Sequence, residues 1–152
     1  MPISETPLPF KIHKIDHCAL APKDMSQCIR FFRDILRLPY FGAETVAEQK
    51  VHAEMLLSAH AGERLPIETR IELLESTDPS GPVAQFLHKR GAGVHHIAFN
   101  VDNMEKATAY LRQQGVEFVD EAPRRGYGGS VIMFVHPRST GGILCELVQN
   151  RC

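Results

Sequence analysis

One sequence word occurs twice in this chain, and the repeat limits the folds that the chain can adopt. The two copies are IDHCALAPKDM, residues 15–25, and VHHIAFNVDNM, residues 94–104. A constant offset of 79 residues pairs His17 with His96 and Met25 with Met104. Because the chain has 152 residues, a repeat at about half its length indicates two copies of one structural unit. A site on the axis between the copies would take one histidine from each.

Composition excludes several classes of protein. Hydrophobic residues make up 43% of the chain and charged residues 23%, a balance typical of globular domains. The formal net charge of −1 argues against a nucleic-acid binder, and no apolar run approaches the roughly 18 residues of a membrane helix. The chain does not begin with a secretory signal pattern, and its four cysteines (Cys18, Cys28, Cys145 and Cys152) form no CxxC pair. We therefore expect free thiols in a cytoplasmic protein.

The order of predicted elements repeats as well. Each half reads as a strand, a helix and three further strands, and the turn-rich segment 76–82 separates the halves. The predicted strands are 11–20, 39–46, 51–57, 67–74, 94–101, 116–119, 130–136 and 143–149, and the predicted helices are 24–36, 83–89 and 104–113, with a loop at 58–66. One such sheet alone would leave a face unburied and its edges open. We predict an α+β fold in which two tandem βαβββ modules pair into a curved mixed sheet around a metal site.

This prediction treats residues 1–152 as a single domain. Module one covers about 11–76, a linker covers 77–92, and module two covers about 93–150.

Four residues at equivalent places in the repeat have the chemistry of metal ligands. His17 and His96 lie on the first strand of each half, and Glu72 and Glu146 lie within the otherwise apolar last strands. A carboxylate in a buried strand is costly unless it is paired or bound to a metal. Two imidazoles and two carboxylates form a mixed nitrogen and oxygen site that suits a borderline divalent ion. By strand alternation, His95 is predicted to lie on the opposite face from His96.

Two glycine-rich turns are also candidates for ligand contact. In HPRSTGG, residues 136–142, Gly141 and Gly142 allow a close approach of the backbone to a ligand; a plain hairpin between two strands also explains them, and both can be true. In PRRGYGG, residues 123–129, Arg124 and Arg125 are either anion-binding or solvated.

Most of the chain, from about Ile15 to Gln149, resembles a known family. The segments IDHCAL, IELLE, AQFLHKRGAGVHHIAFNVDN and FVHPRSTGGILCELV are similar to the methylmalonyl-CoA epimerases of the vicinal oxygen chelate superfamily, which also includes glyoxalases, bleomycin resistance proteins and dioxygenases. This resemblance implies a homodimer of paired βαβββ modules and a coenzyme A thioester as substrate.

The resemblance also implies roles for particular residues. It makes His17, Glu72, His96 and Glu146 ligands of a divalent ion, with Co, Mn, Zn, Ni and Mg left open, and it makes Glu146 a catalytic acid or base. Ser139, Thr140, Gly141 and Gly142 would contact the substrate.

The second acid or base is where the chain departs from the family. Some members carry a glutamate on the third strand of the first half, where this chain has Ala53, with Glu54 beside it. Glu48 and Glu54 are therefore the candidates for this role.

Several related functions remain open from the sequence. Glyoxalase I shares the same ligand order and also transfers a proton, but glyoxalases tend toward DPDG where this chain has HPRSTGG. A ring-cleaving dioxygenase would need two histidines and one carboxylate around iron, and the additional Glu72 argues against it. A binding protein of the same fold and an epimerase for a different acyl-CoA also fit these residues.

Overall fold

The computed structural model of the chain describes residues 6–60 and 69–150. Its strands form one mixed sheet of eight, in the order β2-β3-β4-β1-β5-β8-β7-β6. The strands are β1 (Ile12–Ala21), β2 (Tyr40–Val46), β3 (Val51–Leu57), β4 (Arg70–Ser76), β5 (Gly93–Val101), β6 (Arg124–Arg125), β7 (Val131–Val135) and β8 (Cys145–Gln149). Most of the predicted loop 58–66, the first residues of the strand predicted at 67–74, and Cys152 lie outside the described residues.

The sheet is built from two equivalent halves. β1 and β5 pair antiparallel at its centre, β4 lies parallel to β1, and β8 lies parallel to β5. In each half, the last strand therefore lies beside the first strand. As a result, β4 and β8 flank the central pair of β1 and β5. The predicted fold, two βαβββ modules in one curved mixed sheet, is confirmed.

Three α-helices accompany the sheet within residues 6–60 and 69–150: α1 (Met25–Ile29), α2 (Pro82–Arg90) and α3 (Met104–Gln113). The side chain of Asp24 caps α1 by accepting a hydrogen bond from the N–H of Gln27, and Asn103 caps α3 in the same way. Gly115 follows α3 with a φ of 81° and provides the predicted helix stop. The helix predicted at 24–36 is an α-helix only in its first part, and Arg30–Ile35 continues it as a π-helix.

The two faces of the sheet bury different groups. On one face, α3 covers an apolar cluster that includes Val101, Met104, Met133 and Leu147. The other face is concave, and small or branched side chains of β1, β2 and β3 pack there with Val83 of α2. The concave face therefore has room for a cavity, whereas the convex face is filled.

The second module differs from prediction at residues 116–119. This segment pairs antiparallel with β7 only around Phe118 and Val135, with one backbone hydrogen bond on each side of that bridge. The backbone N–H of Glu117 donates to the hydroxyl of Ser139, so the ladder is not extended. The short strand β6, which the sequence did not indicate, pairs with the start of β7, while 116–119 pairs with its end.

The two edges of the curled sheet meet through side chains. On the β2 edge, Glu44 accepts a hydrogen bond from the guanidinium of Arg125 at 2.8 Å and another from the backbone N–H of Gly128. The amide of Gln49 donates to the carbonyl of Arg125 at 2.9 Å. These contacts join the outermost strand of module one to the β6 edge of module two.

Candidate metal centre

Four buried side chains converge at the centre of the concave face. Nε2 of His17 lies 3.2 Å from Nε2 of His96 and 3.6 Å from Oε1 of Glu72. Oε2 of Glu146 lies 2.8 Å from Nε2 of His96 and 3.8 Å from Nε2 of His17. The structure thus brings together all four residues that the repeat singled out.

The spacing of these atoms fits a shared ion. Ligand atoms of His17, Glu72 and His96 all lie within 4.8 Å of one another, and Glu146 adjoins both histidines. Two ligand atoms at about 2.1 Å from one ion are separated by about 3 Å at a right angle and by about 4.2 Å when opposite. The separations of 2.8–3.8 Å fall close to this range. A mixed donor set of this kind suits a divalent transition metal.

The pKa values of the two carboxyl groups, Glu72 and Glu146, are shifted in opposite directions. Burial raises the pKa of Glu72 above its ordinary value. Burial would also raise the pKa of Glu146, but the charges of His96 and His17 and their hydrogen bonds outweigh it and lower that pKa to about 2. The buried site therefore keeps Glu146 as a carboxylate, which is able to accept a proton or a metal ion.

Two bulges set the orientation of the histidines. Ile15 pairs with Phe99 and His17 pairs with Ala98, so Asp16 is an extra residue in β1. In β5, Val94 pairs with Leu20 and His96 pairs with Ala19, so His95 is the extra residue. A bulge interrupts the alternation of faces.

The prediction that His95 lies on the opposite face from His96 is therefore wrong. His95 lines the same cavity as His96, and the Nδ1 atoms of the two rings are 2.8 Å apart. Burial lowers the pKa of His95 to about 4, and its ring packs edge-on against Phe86 of α2.

Asp16 supports the other histidine. Its carboxylate accepts a hydrogen bond from Nδ1 of His17 at 2.7 Å and is fully buried. Arg70 and Asn100 donate to the same carboxylate at 2.9 and 3.1 Å. Burial would raise the pKa of Asp16, but these partners outweigh it and hold that pKa below its usual range. Nothing in the sequence indicates this role beyond the position of Asp16 next to His17.

A cavity of about 320 Å³ opens beside the cluster. Its walls include β3 residues such as Ala53, residues of α2, and the turn that precedes β8. Of the four residues predicted to contact substrate, Gly142 lies on the wall. Within the turn, the hydroxyl of Ser139 binds the backbone of Glu117, and that of Thr140 binds the backbone of Pro137 and Ile143. Gly141 has a φ of 77° in this turn, so it serves the tight reversal of the chain.

Neither candidate for the second acid or base lies on the cavity wall. Glu48 is exposed in a turn, and Glu54 accepts a hydrogen bond from the hydroxyl of Tyr40 on the outer side of β3. Glu44, which sequence reasoning missed, is not on the wall either, but it alternates with the wall residue Val46 on β2 and so faces the concave side, unlike Glu54. The alternation of β2 was the signal that would have found it.

Comparison with known proteins identifies the class. Residues 14–147 match the model of the Glyoxalase/Bleomycin resistance protein/Dioxygenase superfamily. The chain therefore belongs to this superfamily, also called the vicinal oxygen chelate superfamily.

Within it, the chain is similar to methylmalonyl-CoA epimerases. It is 30% identical to the human mitochondrial methylmalonyl-CoA epimerase over 141 residues, 92% of this chain and 76% of that protein. It is 32% identical to an ethylmalonyl-CoA/methylmalonyl-CoA epimerase of Cereibacter sphaeroides over 142 residues, 91% of this chain and 98% of that protein. A variant of the Streptomyces coelicolor methylmalonyl-CoA epimerase, solved with 2-nitronate-propionyl-CoA, superposes with a TM-score of 0.85 at 34% identity, covering 93% of this chain and 100% of that one.

None of the described helices is long and apolar enough to cross a membrane.

Proposed function

We propose that this protein is a metal-dependent epimerase of methylmalonyl-CoA. The observation that carries the proposal is the buried cluster of His17, Glu72, His96 and Glu146, which opens onto a cavity. The reaction removes a proton from the carbon between a thioester carbonyl and a carboxylate, and it returns the proton to the opposite face. The similarity to epimerases over more than nine-tenths of the chain supports this choice of reaction.

The side chains of the cluster have defined tasks in this proposal. His17, Glu72, His96 and Glu146 hold one divalent ion, which when bound would stabilise the negative charge that develops on the substrate as the proton leaves. Glu146 takes or returns the proton, since it is ionised and lies at the centre of the site. The buried surroundings exclude water and strengthen these electrostatic effects.

The second acid or base in this proposal is Glu44, which would take up the proton on the opposite face as a carboxylate and return it after protonation. It lies on the concave side of the edge strand β2, and Glu146 lies on β8, in the other module. The N–H of Gly128 and the guanidinium of Arg125 fix its position.

Cationic side chains on the cavity wall favour a substrate that carries phosphate groups. In the described part of the chain, four cationic side chains line the cavity, and two of them, Arg70 and Arg124, are paired with aspartates. Lys89 and Arg90, at the exposed end of α2, form no ion pair among the described residues. A cavity of about 320 Å³ is at the small end of ligand sites and leaves the nucleotide of coenzyme A outside its mouth. We assign its phosphates to these two cations.

Removing these cations is expected to weaken binding of the nucleotide end alone. The double substitution Lys89→Ala and Arg90→Ala should raise KM for the coenzyme A thioester about tenfold, which corresponds to about 1.4 kcal/mol of lost charged contacts. Steady-state kinetics should show unchanged kcat/KM for the truncated N-acetylcysteamine thioester, which has no phosphates. Lys106→Ala, on the far helix α3, is the matched control. An equal loss with both substrates would contradict the assignment.

The direct test of the function is exchange with solvent. Metal-loaded protein and methylmalonyl-CoA in deuterated water should give rapid incorporation of deuterium at the α-carbon, followed by mass spectrometry, and a chelator should abolish it. A parallel assay with methylglyoxal and glutathione tests the glyoxalase alternative. Absence of exchange together with turnover of the hemithioacetal would refute the epimerase proposal. If exchange is faster with ethylmalonyl-CoA than with methylmalonyl-CoA, the preferred substrate has the longer acyl chain.

The proposal includes a cytoplasmic homodimer. Large apolar side chains of module one, including Phe31, Ile35 and Phe41, are exposed and support association with a second copy.

A further inference from the structure

We propose that His95 is a positioning residue for His96, which it orients through an Nδ1 to Nδ1 hydrogen bond. The bulge in β5 places His95 on the concave face, and the two Nδ1 atoms are 2.8 Å apart. His95 is not one of the four converging residues, and its ring stands between His96 and Phe86 of α2. This inference rests on the proposed metal site, since it concerns how a ligand of that site is held.

The direction of the hydrogen bond follows from the other nitrogen of His96. Nε2 of His96 faces the cluster, 2.8 Å from Oε2 of Glu146 and 3.2 Å from Nε2 of His17. An imidazole that offers Nε2 to a metal carries its proton on Nδ1. Nδ1 of His96 is therefore the donor and Nδ1 of His95 the acceptor, so His95 carries its own proton on Nε2.

The repeat gives this contact a counterpart in module one. Asp16 is also 79 residues before His95, is also the extra residue of a bulge, and also binds Nδ1 of the following histidine. The two halves thus use one backbone device with two different side chains. Module one supplies a carboxylate, and module two supplies an imidazole.

This difference makes the two histidines unequal ligands. The carboxylate of Asp16 is anchored by Arg70 and Asn100 and forms a charge-assisted bond, which strengthens the donor character of His17. His95 forms a hydrogen bond between two imidazole rings, with no carboxylate, and is held by packing on Phe86, whose helix lines the cavity. The orientation of His96 therefore depends on packing against α2, whereas His17 is held by residues of the strands.

The test uses the geometry of amide side chains. The Oδ1 of asparagine occupies the position of a histidine Nδ1, whereas a glutamine oxygen mimics Nε2. His95→Asn should therefore keep the acceptor, and His95→Gln and His95→Leu should lose it. His88→Leu, an exposed histidine on α2, is the matched control.

The main measurement is the affinity of the metal-free protein for Co²⁺ or Zn²⁺ by calorimetry, without substrate. We expect His95→Asn and the control to stay within about threefold of wild type, and His95→Gln and His95→Leu to bind about 10–100-fold more weakly. The ¹⁵N spectrum of His96 should show the Nδ1–H tautomer in wild type and in His95→Asn, and a mixture in His95→Leu.

Equal affinity in all variants, or equal weakening in His95→Asn and His95→Leu, would overturn the proposal. These readouts do not depend on epimerase activity. Wild-type protein that binds metal but does not exchange the substrate proton refutes the proposed reaction and leaves the role of His95 to be decided by the affinities.

Discussion

Replacing Glu146 with glutamine is expected to lower kcat about a thousandfold while a divalent ion stays bound. Glutamine keeps an oxygen that is able to ligate the metal, but it cannot take up a proton at neutral pH. Loss of a general acid or base typically costs a factor of 10²–10⁴. Steady-state rates and metal content, measured on the same preparation, check this expectation.

Glu72 provides the matched control. It is buried beside the same histidines but is not proposed to transfer a proton. Glu72→Gln should weaken metal binding and recover most of its activity in excess metal. If excess metal also restores Glu146→Gln, Glu146 is a ligand and nothing more.

Replacing Asp16 with alanine is expected to lower the free energy of unfolding by about 3 kcal/mol. The substitution leaves Arg70 and His17 without their shared buried partner, and breaking a buried ion pair costs about 3–5 kcal/mol. We place the value at the low end because the Arg70 side chain keeps an exposed fraction of 16%. Urea denaturation of the metal-free protein measures the change apart from metal binding.

The same substitution has a pH signature. The pKa of Asp16 is lowered in the folded protein, so its contribution to stability is present above the ordinary pKa of an aspartate, about 3.9, and is lost as the pH falls below that value. The difference between wild type and Asp16→Ala should therefore shrink in acid. Asp34→Ala removes an exposed partner of Arg33, and it should leave the midpoint of urea denaturation unchanged. A constant difference from pH 7 down to pH 2 would show that lost packing, and not the carboxylate, is the cause.

The repeat predicted most of the fold because it concerns the whole chain, which must form two equivalent modules. Two equivalent modules, each with an exposed sheet face, pack together, and the positions of His17 and His96 fix their relative orientation. The apolar context of Glu72 and Glu146 identified both as buried carboxylates. All four therefore followed from residue type and position in the repeat.

The rest depended on local backbone irregularity, which periodicity does not encode. Strict alternation placed His95 on the wrong face, because a bulge adds a residue without changing the hydrophobic pattern. The same limit hid the role of Asp16. The strand predicted at 116–119 is reduced to one bridge for a different reason, since the hydroxyl of Ser139 accepts the hydrogen bond from the backbone N–H of Glu117.

The meeting of the β2 and β6 edges has a consequence for solubility. An open eight-stranded sheet presents unpaired backbone groups at both ends, and another chain is able to add to them as a further strand. Here Glu44 on the β2 edge is paired with Arg125 on the β6 edge, so each edge shields the other from a further strand. Because this shield takes one edge from each module, an isolated module would expose an edge that the intact chain covers, and we expect such a fragment to aggregate.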